Sequence, residues 1–447
     1  MLKWGINTLR ILNKKGFMAK IDMTKRKSIL DRVVSDSKNL CKRIIVIDGF
    51  EKMGKTTVIE NIRLFLETLG YDVKIKKESF AKDPNFFKKE KDDIKNSIFL
   101  SRVNDISISL MELANNENLF IIYDRLYFST ILHQFDLDIL EYVSHISKLK
   151  MEYKEFNSLP IEHIILLPKN RIMINEEINR VKSSKIHAFD SEFLSPESVE
   201  LIENRKNKII EEKKNNNLRE NFNIVEIEKC MSKKGVFIKV LKILLDKYSF
   251  SENMIDVEIK YRLSSLYNFD SHGKILSICR GLDKPLEKEN ILSTIRRKHY
   301  STLQFFHYTF FIKDIPRTVL IELSRYRTIN AMCVESTRYV LNKLKNPEEK
   351  IYKFFNPTVR KLSIDILDRI IKLVNKKEVN NDEIKMSLPE SFTTSLYMKM
   401  DLRNLSHLLN ERTDRGVHRE FRRLSYSMLS EIHLKNPEYF EILALMI

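Results

Sequence analysis

Apolar runs and helical patterns alternate along the first half of the chain and predict a parallel sheet. Three short segments are almost continuously apolar, at residues 43–48 (RIIVID), 119–123 (LFIIY) and 161–167 (IEHIILL). Such runs are typical of strands that are buried on both faces. Weaker strand patterns occur at 71–75 and 223–227, with amphipathic helical patterns between the strands. This alternation predicts a doubly wound α/β fold.

The pattern changes near residue 250. Residues 236–248 predict a closing helix, and the polar segment 249–253 follows it. Residues 260–277 then mix strand and loop patterns, residues 305–312 (FFHYTFFI) form an aromatic strand-like run, and long helical patterns extend to the end. A chain of 447 residues has room for two or three domains. We expect an N-terminal extension, an α/β domain and an α+β domain, with the bounds 1–40, 41–250 and 254–447.

The charge balance indicates anionic partners. The formal net charge is +17, and the lysines spread along the whole chain instead of forming one tail. Nucleic acid is one class of partner that such a surface attracts, and nucleotides, pyrophosphate or folates are another.

The cysteines and the hydropathy bear on the compartment. None of Cys41, Cys230, Cys279 and Cys333 belongs to a C-x-x-C pair, so neither a zinc site nor a disulfide framework is indicated. That pattern fits a reducing, cytoplasmic setting. No apolar run is long enough to span a membrane. Residues 1–40 are basic and predict a loose extension, with a transit peptide as the alternative.

A phosphate-binding loop follows the first predicted strand. Residues 49–56 (GFEKMGKT) match G-x-x-x-x-G-K-[ST] and open a predicted helix, which is the context that the motif requires. The loop amides and the helix N-terminus favour phosphate, Lys55 would reach the β- and γ-phosphates, and the Thr56 hydroxyl would hold Mg²⁺. The expected ATP ligands are Gly49, Gly54, Lys55, Thr56 and Thr57.

Residues 40–248 resemble thymidylate kinase. The resemblance rests on the phosphate loop, on Asp124-Arg125 at a strand end, and on the lid-like segment 180–190 (RVKSSKIHAFD). It implies that Glu51, Arg102, Asp124 and Arg125 bind dTMP, and that Lys52, Lys55 and Arg125 act in phosphoryl transfer. A deoxynucleoside kinase is the neighbouring alternative.

A dense group of arginines marks the second half of the chain. Arg325-Tyr326-Arg327 leads to Ser336-Thr337-Arg338-Tyr339. Guanidinium groups at this density suit anionic ligands, because arginine stays charged and can grip phosphate with two hydrogen bonds.

Residues 254–440 resemble flavin-dependent thymidylate synthase. The arginine motif, residues 299–304 (HYSTLQ), residues 401–407 (DLRNLSH) and residues 412–422 (RTDRGVHREFR) follow the order and spacing of that family. Tyr326 stands where the family's signature has histidine. The resemblance implies FAD as cofactor, NADPH and methylenetetrahydrofolate as cosubstrates, and a homotetramer with sites between subunits.

The resemblance also implies roles for single residues. Arg412 would face the pyrimidine of dUMP and polarise it, where a fixed cation stabilises developing negative charge. The implied dUMP ligands are Glu322, Arg325, Glu335, Ser336, Arg338, Lys385 and Arg412. The implied FAD ligands are His299, Ser301, Gln304, Arg325, Tyr326, Arg327, Asp401, Arg403 and His407.

Several other residues receive structural predictions. Arg415, Arg419 and Arg423 are expected on a solvated basic face, and Glu420 is expected to pair with a neighbouring arginine. The residues expected in the core are His307, Leu396, Met398, Met400, Phe305 and Phe306.

Together, the two resemblances imply a fusion of two consecutive enzymes, in which dUMP is methylated to dTMP and dTMP is phosphorylated to dTDP. Small nucleotides and folate are then the expected partners, and neither a membrane nor a specific nucleic acid is expected. The alternatives are a deoxynucleoside kinase fused to the synthase, and a basic nucleic-acid-binding or scaffold protein built from degenerate enzyme domains.

Overall fold

The chain forms two compact units, Met1–Lys229 and Cys230–Ile447. The computed structural model describes residues 42–49, 53–77, 105–106, 108–110, 112–113, 115–124, 161–169, 196–214, 222–262, 269–354, 356–377 and 379–447. The predicted extension at residues 1–40 lies outside these ranges.

The first unit contains a five-stranded parallel sheet, as the alternating pattern predicts. Its strands are β1 (Ile44–Gly49), β2 (Asp72–Lys77), β3 (Leu119–Asp124), β4 (Glu162–Pro168) and β5 (Phe222–Ile227). The order is β2-β3-β1-β4-β5. Strands β1 and β4 are buried along their whole length, which explains their continuously apolar sequences.

The described helices of this unit are α1 (Lys55–Leu69) and α2 (Pro196–Lys214). Helix α1 buries Val58, Ile62, Phe65 and Leu69, whose spacing places them on one helical face. It ends at Gly70, which has φ 98° and donates its backbone N–H back to the last turn.

The sheet order creates a switch point beside β1. From β1 the chain continues to β2, beyond β3, whereas from β3 it continues to β4 on the opposite side of β1. The carboxyl ends of the adjacent strands β1 and β3 therefore flank the kind of crevice in which open α/β sheets bind ligands.

The second unit is built on a four-stranded antiparallel sheet of order β6-β7-β9-β8. Its strands are β6 (Val257–Arg262), β7 (His307–Pro316), β8 (Ala331–Val334) and β9 (Thr393–Asp401). Its helices are α3 (Lys233–Lys247), α4 (Phe269–Cys279), α5 (Lys288–Arg296), α6 (Arg317–Ser324), α7 (Thr337–Lys343), α8 (Pro357–Lys376), α9 (Asn381–Ile384), α10 (Leu402–Arg412), α11 (Arg419–Lys435) and α12 (Pro437–Met446).

Helix α3 belongs to this second unit, whereas the sequence pattern places it at the end of the first domain. The side chain of Ser232 caps α3 and donates to the carbonyl of Ile447 at 2.7 Å. Gly235 lets the helix approach α12, since a Cβ atom there would lie 2.2 Å from the carbonyl oxygen of Ala444. The unit boundary accordingly falls at residues 229 and 230.

Two further elements differ from their sequence patterns. Residues 269–279 are helical, although the pattern of residues 260–277 predicts a mixture of strand and loop. Strand β9 was not predicted within the supposedly helical C-terminal part, yet Leu396, Met398 and Met400 are buried as expected. Their alternation with Tyr397 and Lys399 is the period-two signal of a half-buried strand.

The predictions for the remaining core positions divide. Phe306 is buried, whereas Phe305 is exposed and was wrongly placed in the core; His307 is only half-buried. In the described part of the chain, no helix combines the length and apolarity needed to cross a bilayer.

Around the start of α11, the structure confirms some predictions for charged residues and contradicts one. Arg415 and Arg419 are exposed as expected, but Arg423 is only 1% exposed. Its Nε lies 3.0 Å from Glu420 Oε2, so the predicted pairing of Glu420 with an arginine is confirmed. Its guanidinium also packs on the ring of Phe354 at 4.1 Å, and this aromatic cover explains the burial.

Candidate active sites

The phosphate loop begins at the carboxyl end of β1. Gly49 has φ 128°, and a Cβ atom there would lie 2.2 Å from the backbone oxygen of Leu166, so only glycine fits. Gly54 caps α1 in the left-handed conformation, with φ 81°. At the start of the loop, the Gly49 amide donates to the Asp48 carboxylate at 3.0 Å.

Lys55, the first residue of α1, is buried and reaches back to the end of β1. Its Nζ donates to the carbonyl oxygen of Gly49 at 2.9 Å. Thr56 and Thr57 follow it in the first turn of α1, where unpaired amides and the helix dipole favour an anion. The loop therefore combines a cation with a helix N-terminus, which is chemistry suited to phosphate.

Asp124 ends β3 directly beside β1, with Ile47 as its register partner. It thus belongs to the strand pair that flanks the switch point. The other residues predicted to act here lie outside the described residues: Glu51, Lys52, Arg102, Arg125 and the lid segment 180–190.

In the second unit, Arg412 is held by two aromatic rings. Its guanidinium carbon lies 4.8 Å from the ring centroid of Tyr326 and 5.0 Å from that of Phe421. Its Nε donates to the hydroxyl of Tyr326, and its Nη1 lies 3.7 Å from Glu322 Oε2. The structure therefore brings three of the predicted site residues together, since Arg412, Tyr326 and Glu322 are in contact.

Tyr326 also contacts a residue that sequence reasoning missed. Its hydroxyl donates to Glu411 Oε2 at 2.8 Å. Burial, followed by the hydrogen bond to Glu411, raises the pKa of Tyr326 to about 12. The phenol consequently keeps its proton at neutral pH.

Arg338 and Lys385 share one carboxylate. Arg338 Nε and Lys385 Nζ each lie 2.8 Å from Asp382 Oδ1. The hydrogen bond from Lys385 and then the charge of Arg338 hold the pKa of Asp382 below its ordinary value. Two cations predicted to bind dUMP are thus neighbours, although they lie 47 residues apart in sequence.

Glu335 and Ser336 precede α7, and Ser336 is its N-cap. The carboxylate of Glu335 is engaged within the fold, with Lys350 Nζ at 2.9 Å and the amide of Ser395 at 3.3 Å. Arg325 and Arg327 flank Tyr326 and are both exposed.

Part of the predicted FAD set lines one depression of about 480 Å³. Gln304 lies on the turn Ser301–Phe305, and Arg403 and His407 lie on the first turns of α10. Tyr300, Asn404, Ser406, Asn410 and Met446 complete the lining. His299 and Ser301 are exposed next to this turn.

Asp401 has a capping role at the start of α10. It is buried and accepts from the Asn404 amide at 2.9 Å and from the Asn404 side chain at 2.6 Å. Its carboxylate therefore faces its own helix. The sequence D-L-R-N at residues 401–404 indicates this role, since aspartate is a preferred N-cap residue whose side chain accepts a hydrogen bond from the amide three residues later.

Comparison with known proteins identifies the second unit. The family described as "Thymidylate synthase complementing protein" matches residues 258–438. The flavin-dependent thymidylate synthase of Helicobacter pylori strain J99 is 30% identical over 158 residues, which cover 32% of this chain and 76% of that protein. The enzyme of the same description from Campylobacter jejuni strain RM1221 is 32% identical over 155 residues, covering 32% of this chain and 74% of that protein.

A solved structure is similar at a lower level. It is the crystal structure of thymidylate synthase X from Helicobacter pylori with FAD and dUMP, at 23% identity and a TM-score of 0.37, covering 42% of this chain and 99% of that one. The family assignment rests on the sequence matches alone. On these matches, the chain belongs, through residues 258–438, to the flavin-dependent thymidylate synthase family.

Proposed function

We propose that the second unit catalyses the reductive methylation of dUMP to dTMP with FAD as cofactor. Methylenetetrahydrofolate supplies the carbon and NADPH supplies the reducing equivalents. Family membership supports this activity, and so does one observation above all: the fixed guanidinium of Arg412, in contact with Tyr326 and Glu322.

Arg412 has the properties that a pyrimidine-polarising group needs. Negative charge develops on the uracil ring when its C5 position reacts, and a preorganised cation stabilises that charge without reorganisation. The rings of Tyr326 and Phe421 restrict the position of the guanidinium. Glu322, on α6, would accept a hydrogen bond from the ring and so help to select uracil.

Arg338 and Lys385 are proposed to bind the phosphate of dUMP. Their shared partner Asp382 is half-buried at the surface, and surface ion pairs contribute little to stability, so a phosphate dianion can replace it at little cost. Ser336 adds a hydroxyl at the start of α7, next to Arg338.

The depression beside α10 fits the polar part of FAD. Arg403 and His407 provide cations or donors for a pyrophosphate, and Gln304 and Asn410 provide amide groups for hydroxyls. FAD, when bound, would supply the hydride. The chain's own residues would bind the cofactor, orient it and limit the access of water.

Self-association through α8 is part of this proposal. Its inner face packs in the core through Leu367, Ile371 and Val374, whereas Val359, Leu362, Ile366 and Leu373 on its outer face are exposed. The outer residues recur at a spacing of three, four and seven, which is the spacing of a helix-pairing seam. An exposed apolar face of this kind is typical of a protein–protein contact.

A second copy of this chain suits the outer face of α8 by charge as well. If α8 pairs with a second copy in the antiparallel direction about a two-fold axis near residue 368, Leu362 would lie close to Leu373, and Asp365 close to Lys372. Opposite charges then flank the apolar seam on the side of the helix that faces solvent. The exposed apolar stripe of α8 is therefore the observation that supports the oligomer implied by the family resemblance.

For the first unit, we propose phosphoryl transfer from ATP to dTMP. The observation that favours it is the loop between Gly49 and Lys55, at the switch point between β1 and β3, with Asp124 on the neighbouring strand. Mg²⁺ would be held by Thr56. Incubation with ATP and either dTMP or thymidine separates a thymidylate kinase from a deoxynucleoside kinase, and transfer to neither contradicts both.

The synthase proposal is tested by dTMP formation from dUMP, methylenetetrahydrofolate, NADPH and FAD. We expect activity in the full chain and a loss of at least about a hundredfold in Arg412→Gln, as for the removal of one preorganised charge-stabilising donor. Arg415→Gln is the matched control, since Arg415 is exposed in the loop after α10. An inactive full chain, reconstituted with FAD, would refute the proposal.

A further inference from the structure

Glu411 lies in the last turn of α10, directly before Arg412, and each of its carboxylate oxygens has a partner. Oε2 accepts a hydrogen bond from the hydroxyl of Tyr326 at 2.8 Å. Oε1 lies 3.2 Å from Nε2 of His407, one turn earlier on the same helix. Glu411 is thus fixed between two residues that resemblance assigns to the FAD site, and it adjoins the residue assigned to the pyrimidine.

The hydroxyl of Tyr326 transmits the position of Glu411 to Arg412. A phenol has one proton to donate, and the remaining lone pairs accept. Because that proton goes to Glu411, a lone pair is available for Nε of Arg412, which donates to it. The hydrogen bonds therefore run in one direction, from Arg412 to Tyr326 to Glu411.

This hydrogen bond supplies what the aromatic rings do not. The rings of Tyr326 and Phe421 are nearly perpendicular, at 88°, and their centroids lie 4.8 Å and 5.0 Å from the guanidinium carbon of Arg412. Such ring contacts restrict the position of the guanidinium, but they do not specify the direction in which its N–H groups point. The hydrogen bond at Nε fixes this direction, with Nη1 3.7 Å from Glu322 Oε2.

We propose that Glu411 is a positioning residue that sets, through Tyr326, the orientation in which Arg412 receives the pyrimidine of dUMP. The inference rests on the proposed function of the second unit. It assigns Glu411 no contact with substrate, and it makes the tyrosine at position 326 and the glutamate at position 411 one functional pair.

A purely electrostatic effect of Glu411 and a positioning role predict opposite changes in dUMP affinity for Glu411→Gln. Removal of a negative charge near an anionic ligand strengthens binding if only the charge matters. Loss of the anchor for Tyr326 weakens binding if orientation matters, because glutamine accepts the hydrogen bond less strongly than a carboxylate does.

The test is calorimetric titration of the full chain with dUMP, for Glu411→Gln, Tyr326→Phe and the double variant. We expect Glu411→Gln to weaken binding about fivefold and Tyr326→Phe about tenfold, with the double variant no weaker than Tyr326→Phe. Glu349→Gln, an exposed carboxylate on the turn Pro347–Lys350, is the matched control and should bind as the parent does.

Three outcomes overturn the inference. Tighter or unchanged binding by Glu411→Gln would show that no positioning occurs, and additive losses in the double variant would show that Glu411 does not act through Tyr326. If the parent protein binds no dUMP, the proposed function fails, and the inference falls with it. Should the double variant not fold, Glu411→Ala must bind more weakly than Glu411→Gln; equal affinities would contradict the role.

Discussion

Arg423 and Glu420 form an ion pair that is almost completely removed from solvent. Their closest atoms, Nε and Oε2, are 3.0 Å apart, and the side chains are 2% and 5% exposed. The hydroxyl of Tyr352 donates to the same carboxylate oxygen at 2.5 Å, and the guanidinium lies on Phe354. This cluster joins α11 to the segment that leads into α8.

Replacement of one partner should therefore destabilise the second unit strongly. We expect Arg423→Met to lower the free energy of unfolding by about 3–5 kcal/mol, because Glu420 would be left as an uncompensated buried charge. Urea denaturation measures the change. Arg415→Met, at an exposed position, should change it by less than about 0.5 kcal/mol; equal effects at the two positions would contradict the burial of Arg423.

The burial of Arg423 could not be predicted from local sequence. Arginines 415, 419 and 423 occur at the spacing of one helical face, and such a pattern is usually solvated. What separates Arg423 from the others is Phe354 and Tyr352, about seventy residues earlier in the chain. Periodicity reports which positions share a face, whereas burial depends on what the fold brings against that face.

The strands likewise differ in how far they could be predicted from sequence. The strands at residues 44–49, 119–124 and 162–168 could be predicted because burial on both faces requires continuously apolar sequence. Strand β9 is half-buried and alternates, so its signal was lost among helical patterns. In the candidate site, the family motif supplied Arg412 and Tyr326, but Glu411 became visible only through its contact with Tyr326.

Because His272 is buried, we expect the protein to lose stability at acidic pH. The side chain is fully buried beside Phe306, and burial lowers its pKa from 6.5 to about 4. As the pH falls below 6.5, the unfolded state therefore binds a proton at His272 that the folded state does not bind. The stability associated with the neutral imidazole is fully present above pH 6.5 and is lost as the pH falls to about 4.

The corresponding experiment compares the parent with His272→Gln by urea denaturation at pH 7 and pH 5. Between these values the parent should lose about 2 kcal/mol more stability than the variant, since 1.5 pH units below 6.5 correspond to about that free energy. Parallel losses in the two proteins would show that His272 does not titrate in this way.

The two loop glycines predict unequal effects of alanine. Gly54→Ala meets no neighbouring atom and should cost only the left-handed backbone strain, about 1–2 kcal/mol. Gly49→Ala would force a Cβ atom against the backbone of Leu166 and should cost more than about 3 kcal/mol. Thermal unfolding measures the stability of the two variants. A Gly54→Ala variant less stable than Gly49→Ala would contradict the backbone geometry described for these two glycines.

The outer face of α8 predicts a change of oligomeric state. We expect Leu362→Lys combined with Ile366→Lys to reduce the molar mass in solution, measured by light scattering, because each lysine places a charge in the apolar seam. Val379→Lys is the control, since Val379 is exposed but lies beyond α8. An unchanged mass in the double variant would contradict self-association through this face.

The central claim is that the second unit is a flavin-dependent thymidylate synthase, and the spectrum of the bound flavin tests it most directly. The full chain, reconstituted with FAD and reduced anaerobically with NADPH, is mixed with dUMP and methylenetetrahydrofolate. We predict that the flavin absorbance returns only when both are present, with dTMP formed in equal amount. A chain that takes up no FAD, or a reduced flavin that is not reoxidised by the two substrates, would contradict the claim.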